Sequence, residues 1–332
     1  MVAARQTNGF VNWSAAIVSW SIAVAPCTAA TFTENFSTDP LLDGWQIFGD
    51  TNLFLWDSAN QNLAVTWDSS QTNSYFFHPL GTILAREDSF QLSFDLVLQD
   101  AVIGTNLNQP YTFEIAIGFL NLDNATRTNF FRGSGINPTY GPDNLVEFDF
   151  FPAFDIFQPT ISQVVVSTNN VWKYSNNLLD LPTGELFHVA MNYDGATRTL
   201  TTVTTNSGAQ YGPKQTIVVP ANFDFRLTAV AVSSYSDQHS DGSILAHGTV
   251  GNLVVTVASP PVQNLTGTMS QGLWQAQFLG RSNWSYALER TGNFETWTNV
   301  TCFNSVSSGT QILQDPNPPP GTAFYRVNAE RP

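Results

Sequence analysis

Short runs of β-branched and aromatic residues, separated by clusters of Asn, Asp, Gly, Ser and Pro, recur through most of this sequence. The runs hold about four to eight residues, and the clusters follow at intervals of roughly 10–15 residues. Such spacing predicts strands joined by turns, whereas almost no segment has the apolar spacing of an amphipathic helix. We therefore expect an all-β protein built from stacked antiparallel sheets.

A change in the pattern at Ser259-Pro260-Pro261 divides the predicted strands into two groups, because two prolines end a strand. The first group is predicted at 63–67, 90–98, 113–119, 145–150, 163–167, 186–193, 197–205, 225–232 and 249–257. The second group is predicted at 272–279, 285–290, 297–303, 310–314 and 323–327. We therefore expect a large sandwich over 31–258 and a small immunoglobulin-like sandwich over 264–330.

The first 30 residues have the composition of a secretory signal peptide. Arg5 precedes the apolar stretch 15–25, and small residues end the segment at Ala30. We expect cleavage after Ala30, although Cys27 leaves a lipoprotein site open as an alternative. About eleven apolar residues are too few to cross roughly 30 Å of hydrocarbon, so we expect no transmembrane segment. The predicted location is therefore secreted, extracellular or cell surface.

The charge balance excludes one class of partner. Twelve Lys and Arg stand against 26 Asp and Glu, which gives a net charge of −14. Such a chain repels phosphate backbones, so we expect no nucleic-acid partner. Removal of the leader leaves Cys302 as the single cysteine, which excludes an intramolecular disulfide; we expect this side chain to be buried in a strand.

Three stretches of residues 31–257 resemble the concanavalin A-like lectin/glucanase superfamily of the laminin G and glucanase type. They are the opening 32–40 with Gly44-Trp45, the central Val146-Glu-Phe-Asp-Phe-Phe-Pro152, and the closing 242–254. The resemblance implies a jelly roll of two stacked antiparallel sheets. The sequence is especially similar to exported bacterial members of the superfamily. This superfamily contains lectins, hydrolases and adhesive modules, so the resemblance implies an architecture and no single activity.

The segment 264–330 resembles a small C-terminal module of exported bacterial proteins. The similarity lies in Tyr286-Ala-Leu-Glu-Arg290, in Phe294-Glu-Thr-Trp-Thr-Asn-Val300 and in Phe324-Tyr-Arg-Val327. It implies an immunoglobulin-like sandwich and leaves the role of the module open.

The candidate catalytic residues are Glu147 and Asp149. In a strand these two residues point to one face, with Cα atoms about 6.6–7 Å apart, while Phe148 points to the other face. The motif resembles the Glu-x-Asp-x-Glu pattern of laminarinase-type glucanases, which implies Glu147 as nucleophile and Asp149 as its helper. Phe151 and Pro152 stand where the proton donor of that pattern belongs, and Asp155 could replace it only if its loop folded back.

The same face also predicts a carbohydrate-binding surface. Glu147, Asp149 and Phe151 would place carboxylates beside an aromatic ring on a concave face, which suits sugar hydroxyls and their apolar C–H faces. Trp67 is a further candidate. Together with Trp45 and Trp56 it forms a series of three tryptophans spaced 11 residues apart. The alternative for these tryptophans is packing in the core.

Calcium is a possible cofactor because the predicted loops carry many carboxylates, which are the ligands that calcium prefers. The candidate oxygen donors are Asp39, Asp43, Asp50, Asp237 and Asp241. No EF-hand spacing is present, and Gly251 stands where the related closing pattern often has an Asp.

Taken together, these patterns predict an exported, non-catalytic protein that binds a polysaccharide or glycoconjugate or acts in surface adhesion. One alternative is a laminarinase-type glycoside hydrolase that uses Glu147 and Asp149. Another is a structural, self-assembling surface protein, which the low content of charged residues, 11%, favours.

Overall fold

The computed structural model describes residues 29–103, 114–132, 143–153, 158–236, 244–305 and 307–331. Helical structure in these ranges is limited to two 3₁₀ turns, Pro40–Asp43 and Thr51–Leu53, and one short helix α1, Leu122–Ala125. Nearly all other regular structure is strand, so the predicted all-β sandwich class is confirmed.

Sixteen strands lie between residues 30 and 257 of the described chain. They are β1 (Ala30–Glu34), β2 (Gln46–Phe48), β3 (Phe54–Asp57), β4 (Asn62–Asp68), β5 (Ser74–Leu84), β6 (Phe90–Ile103), β7 (Ile115–Leu120), β8 (Leu145–Phe151), β9 (Thr160–Val166), β10 (Trp172–Leu178), β11 (Leu186–Asp194), β12 (Thr199–Asn206), β13 (Ala209–Gln210), β14 (Gln215–Val218), β15 (Leu227–Ser234) and β16 (Ile244–Val257).

These strands form two antiparallel sheets. The nine-stranded sheet has the order β13-β12-β11-β6-β16-β4-β3, with β1 paired to β16 and β14 paired to β12. The seven-stranded sheet has the order β10-β9-β8-β7-β15-β5-β2, so β10 and β2 are its edges. The turn after Asp194 joins β11 and β12 as a hairpin, in which Asp194 pairs with Thr199.

The main core lies between the two sheets. Alternate residues of β8 enter it, and they include Val146, Phe148 and Phe150. The intervening residues of β8 face the other way, where a second apolar cluster covers the outer face of the seven-stranded sheet. This cluster combines strand residues such as Tyr75 and Leu145 with Phe130, which comes from the segment after α1. We call this outer surface the covered face.

Six further strands form what we call the C-terminal module. They are β17 (Val262–Ser270), β18 (Leu273–Gly280), β19 (Ser285–Thr291), β20 (Thr298–Asn304), β21 (Gly309–Asp315) and β22 (Phe324–Glu330). Two three-stranded sheets, β17-β18-β21 and β20-β19-β22, enclose a small core that contains Trp284 and Tyr286. Cys302 lies in β20 but is exposed, which corrects the expectation of a buried thiol.

A buried ion-pair cluster joins the C-terminal module to the large sandwich. Arg281 and Arg331 of the module both bind the carboxylate of Asp88, which precedes β6. The ring of Trp284 lies 5.8 Å from each guanidinium, and Ile83 of β5 packs against the module core. One carboxylate therefore links two cations of the module to the sandwich. Among the described residues, no helix is long and apolar enough to cross a membrane.

Candidate functional site

The two candidate carboxylates lie side by side on the covered face, in the middle of β8. Their alternation with Phe148 is as predicted, but both side chains are buried, with exposed fractions of 1% for Glu147 and 0% for Asp149. The neighbouring strand places Gly118 opposite Glu147 and Ala116 opposite Asp149. These small residues leave space above the sheet. The segment that carries Phe130 and Arg132 fills this space.

Arg132 provides the charge that balances these carboxylates. Its Nε donates to Oε2 of Glu147 at 3.0 Å, and its Nη2 donates to Oδ2 of Asp149 at 2.7 Å. The guanidinium is itself only 1% exposed. The geometry is that of a buried, charge-assisted network, in which one planar cation binds two carboxylates.

Other buried polar groups surround this network. The hydroxyl of Tyr235 donates to Oε1 of Glu147, and Glu114 is buried near the same guanidinium. Burial lowers the pKa of Arg132, but the carboxylates of Asp149, Glu147 and Glu114 outweigh that effect and raise it above its usual value. Arg132 is therefore a fixed positive charge.

Asp149 ionises less readily than an ordinary carboxyl group. Burial raises its pKa well above the usual range, and Glu147 and Glu114 add to the rise against the opposing effect of Arg132. Its Oδ1 is buried and has no hydrogen-bond partner among the described residues, which also disfavours the charged form. Three carboxyl groups lie near one guanidinium, and its single positive charge cannot balance three negative charges.

The expectation of an open carboxylate surface is corrected by this burial. A glycosidase nucleophile must contact the sugar carbon, whereas Glu147 is enclosed and bound to Arg132 and Tyr235. Sequence reasoning missed Arg132 because nothing in the spacing connects it to β8, 15 residues away. The available signal was an arginine after the aromatic pair Phe130-Phe131 in a chain that has few cations.

The aromatic candidates also lie elsewhere than expected. Trp67 is 0% exposed in the core between the sheets, so its ring cannot stack on a sugar, and Trp45 is buried in the same core. Phe151 is half-buried and packs against that core. Trp56 is partly exposed, and its Nε1 donates to the carbonyl of Phe36 at 2.9 Å. The packing alternative therefore describes Trp45 and Trp67.

Of the proposed calcium ligands that the structure describes, Asp39 caps one 3₁₀ turn, Asp43 ends it, and Asp50 caps the next. Asp39 accepts a hydrogen bond from the backbone N–H of Leu41, and Asp50 accepts one from that of Asn52. Asp43 accepts from the hydroxyl of Thr38. Asp237 and Asp241, like the alternative proton donor Asp155, lie outside the described residues. Within the described ranges, no group of three His, Cys, Asp or Glu side chains is placed to hold a metal ion.

The edge of the covered face carries exposed side chains that the sequence reasoning did not single out. Strand β10 pairs with β9 so that Tyr174 lies opposite Val164 and Asn176 opposite Ser162. On the next strand, Val164 and Ser162 lie opposite Glu147 and Asp149. Tyr174 and Asn176 therefore share the face of the carboxylates, and Tyr174 is 62% exposed.

Trp172 connects this edge to the buried network. It shares the face of Tyr174, two residues away along β10, and its Nε1 donates to Oδ1 of Asn170 at 2.8 Å. The Arg132 guanidinium lies over its ring, 4.9 Å from the centroid. The buried cation thus binds Glu147 and Asp149 on one side and contacts the aromatic edge on the other. The signal in the sequence was the alternation of Trp172, Tyr174 and Asn176 at strand period.

No family model matches this sequence, and no curated protein matches it. Among solved structures, winged bean acidic lectin complexed with methyl-α-D-galactose is 15% identical, with a TM-score of 0.47 over 70% of this chain and 99% of the lectin. Peanut lectin with a nine-residue peptide is 19% identical, with a TM-score of 0.45 over 70% and 99%. Arcelin-5, a lectin-like defense protein from Phaseolus vulgaris, is 17% identical, with a TM-score of 0.41 over 69% and 98%. Sequence identities and TM-scores this low do not indicate a function for this chain.

Proposed function

We propose that this chain is an exported, non-catalytic glycan-binding protein that takes sugars at the edge of the covered face, on β10. The observation that carries the proposal is the exposed ring of Tyr174 beside the exposed amide of Asn176, on one face of one strand. An aromatic face packs on the C–H surface of a pyranose. The Oδ1 of Asn176 accepts from the hydroxyl of Ser162 at 2.6 Å, and its Nδ2 can donate to a sugar hydroxyl. We call this pair the Tyr174 site.

In this proposal Glu147 and Asp149 act as positioning residues. They hold Arg132, and Arg132 contacts Trp172, the neighbour of Tyr174 on the same face. A buried, hydrogen-bonded network of this kind stiffens the strand edge that carries the binding side chains. The sugar itself contacts the exposed groups of β10 and not the carboxylates.

Two features of β8 favour binding over hydrolysis. Both carboxylates are engaged by one guanidinium, so neither is free to attack a sugar carbon. The residues at the position of the proton donor, Phe151 and Pro152, carry no acid. Without such an acid a leaving oxygen departs unprotonated, at a loss of roughly 10²–10⁴-fold in rate.

Export is the second part of the proposal, and it depends on the composition of residues 1–30. Expression in a secreting bacterial host, followed by N-terminal sequencing of the protein in the medium, tests it. We expect Thr31 as the first residue. A secreted protein modified at Cys27 would instead support the lipoprotein alternative, and retention of the whole leader in the cytoplasm would contradict export.

Binding is tested by affinity gel electrophoresis of the purified protein against β-glucans, galactans, xylans and mannans, with and without calcium. We expect retardation by at least one polysaccharide and its loss in Tyr174→Ala. Leu186→Ala is the matched control, since Leu186 is an exposed apolar side chain of the other sheet. Release of reducing sugar would support the hydrolase instead, and sedimentation as fibres without retardation would support the self-assembling alternative.

A further inference from the structure

An exposed aromatic group lies on the outer face of the β20-β19-β22 sheet of the C-terminal module. The rings of Phe294 and Phe324 are in contact, with centroids 4.0 Å apart, and Trp297 lies 6.3 Å from Phe294 in an edge-on arrangement. Phe294 is 60% exposed and Phe324 is 38% exposed. We call these three residues the module platform. None of them belongs to the module core.

The loop before β20 presents Phe294 outward at a conformational cost. Phe294 has a φ of +62°, in the left-handed region that a bulky side chain rarely adopts. Its backbone N–H donates to Oγ1 of Thr291 at 3.0 Å, and the N–H of Glu295 donates to Oδ1 of Asn293 at 3.0 Å. The loop thus fixes an apolar ring in solvent, where neither local preference nor burial favours it.

Polar side chains border these rings. The guanidinium of Arg326 lies 4.1 Å from the centroid of Trp297, and its Nε donates to Oε2 of Glu289 at 2.6 Å. Asn299 is exposed and lies opposite Glu289 in the sheet. The border therefore offers planar donors, a carboxylate acceptor and an amide next to an apolar surface.

We propose that the module platform is a second binding site, for a neutral pyranose unit of a polysaccharide. Aromatic rings take the C–H face of such a sugar, and the Arg326–Glu289 pair together with Asn299 takes its hydroxyls. The proposal goes beyond the Tyr174 site because it stands on residues of the module alone.

The exposed area favours a sugar over a protein partner. An aromatic side chain presents about 150–250 Å², so the exposed fractions of Phe294 and Phe324 amount to roughly 200 Å². A stable protein interface needs about 800 Å² from each partner. Two copies of this chain would also repel each other over an extended contact, because each carries a net charge of −14.

Two sites on one chain would bind a polymer more tightly than either site alone. Asp88 binds Arg281 and Arg331 of the module, so the module is tied to the sandwich that carries Tyr174. The second binding event then becomes intramolecular, and avidity exceeds the single-site affinity where one polymer reaches both sites.

The test uses the full chain and the same polysaccharide gels, with thermal unfolding measured in parallel. Phe294→Gly removes the ring. Relief of the positive-φ strain offsets the greater freedom of glycine in the unfolded chain, so we expect a melting temperature close to that of the wild type. We expect retardation to weaken by about tenfold in apparent affinity, the size of effect that loss of one stacked ring produces. Phe324→Ser is the second variant, with the same expectation.

Met269→Ala is the matched control, because Met269 is an exposed apolar side chain of the other sheet of the module. The module site is overturned if both Phe294→Gly and Phe324→Ser are retarded like the wild type. If they weaken and Tyr174→Ala does not, the module site stands and the Tyr174 site falls. The reverse result keeps the Tyr174 site and overturns the module site, and absence of retardation by every polysaccharide overturns both.

Discussion

Nη2 of Arg132 lies 2.7 Å from Oδ2 of Asp149, and both side chains are buried on the outer face of the seven-stranded sheet. The same guanidinium binds Glu147 and contacts the ring of Trp172. A motif that resembles a catalytic pair supplies, in this chain, the carboxyl groups of a buried network around one guanidinium. Its contribution to stability and the pH dependence of that contribution can both be measured.

Replacement of Arg132 by Met should destabilise the fold strongly. The variant leaves Glu147 and Asp149 buried without their cation, which costs about 3–5 kcal/mol of unfolding free energy. Urea unfolding followed by tryptophan fluorescence measures the loss. Arg226→Met is the control, because Arg226 pairs with a more exposed Asp224, and such pairs contribute about 0–1 kcal/mol. Equal small losses in both variants would contradict the role of Arg132.

Asp149→Asn should change how stability depends on pH. The folded pKa of Asp149 is raised above its unfolded value of about 3.9, so the native state binds more protons between these two values. The free energy of unfolding therefore falls as pH rises from about 4 through the folded pKa. An asparagine side chain at this position cannot ionise, so the variant should lose this decline. Its stability relative to that of the wild type should therefore be higher at pH 8 than at pH 5. Urea unfolding at pH 5 and pH 8 measures the difference.

Asp57→Asn is the control for this experiment. Hydrogen bonds from the Asn60 side chain, and then from the backbone, lower the folded pKa of Asp57. A lowered pKa contributes stability that is complete above the unfolded value of about 3.9 and is lost only below it. Asp57→Asn should therefore leave the change in stability between pH 5 and pH 8 as it is in the wild type. The free energy of unfolding is compared between pH 5 and pH 8 for each protein. An equal change in the wild type and in Asp149→Asn would contradict the raised pKa of Asp149.

The sequence predicted most strands, because strand period and turn residues are local signals. Glu147 and Asp149 were placed on one face for the same reason. What covers that face could not be predicted, since Arg132 and Phe130 reach it through a tertiary contact. The Tyr174 site was missed because an edge strand is defined by the sheet order and not by its own residues.

Gly118→Ala should destabilise the sheet beneath the ion-pair network. A Cβ on Gly118 would overlap the carbonyl oxygen of Val146, so β7 and β8 must separate. Overpacking of this kind costs about 1–3 kcal/mol of unfolding free energy. Gly251→Ala is the control, because the nearest atoms to its Cβ lie 4.0 Å away. Similar midpoints in urea for the two variants would contradict the packing described here.

Asp88→Ala should release the C-terminal module from the large sandwich. Arg281 and Arg331 lose their common carboxylate, while the core of the module around Trp284 is retained. We expect calorimetry to resolve two transitions and limited proteolysis to cut near residues 258–262. Glu87→Ala, which removes the neighbouring and more exposed carboxylate, is the control. One unchanged cooperative transition in Asp88→Ala would show that this link does not couple the two parts.

Retardation of the Tyr174→Ala variant in polysaccharide gels is the most direct test of the central proposal, measured beside the wild type and Leu186→Ala. We predict that one polysaccharide slows the wild type and Leu186→Ala equally and slows Tyr174→Ala at least about tenfold less in apparent affinity. Equal retardation of all three proteins, or of none, would contradict a glycan site on β10.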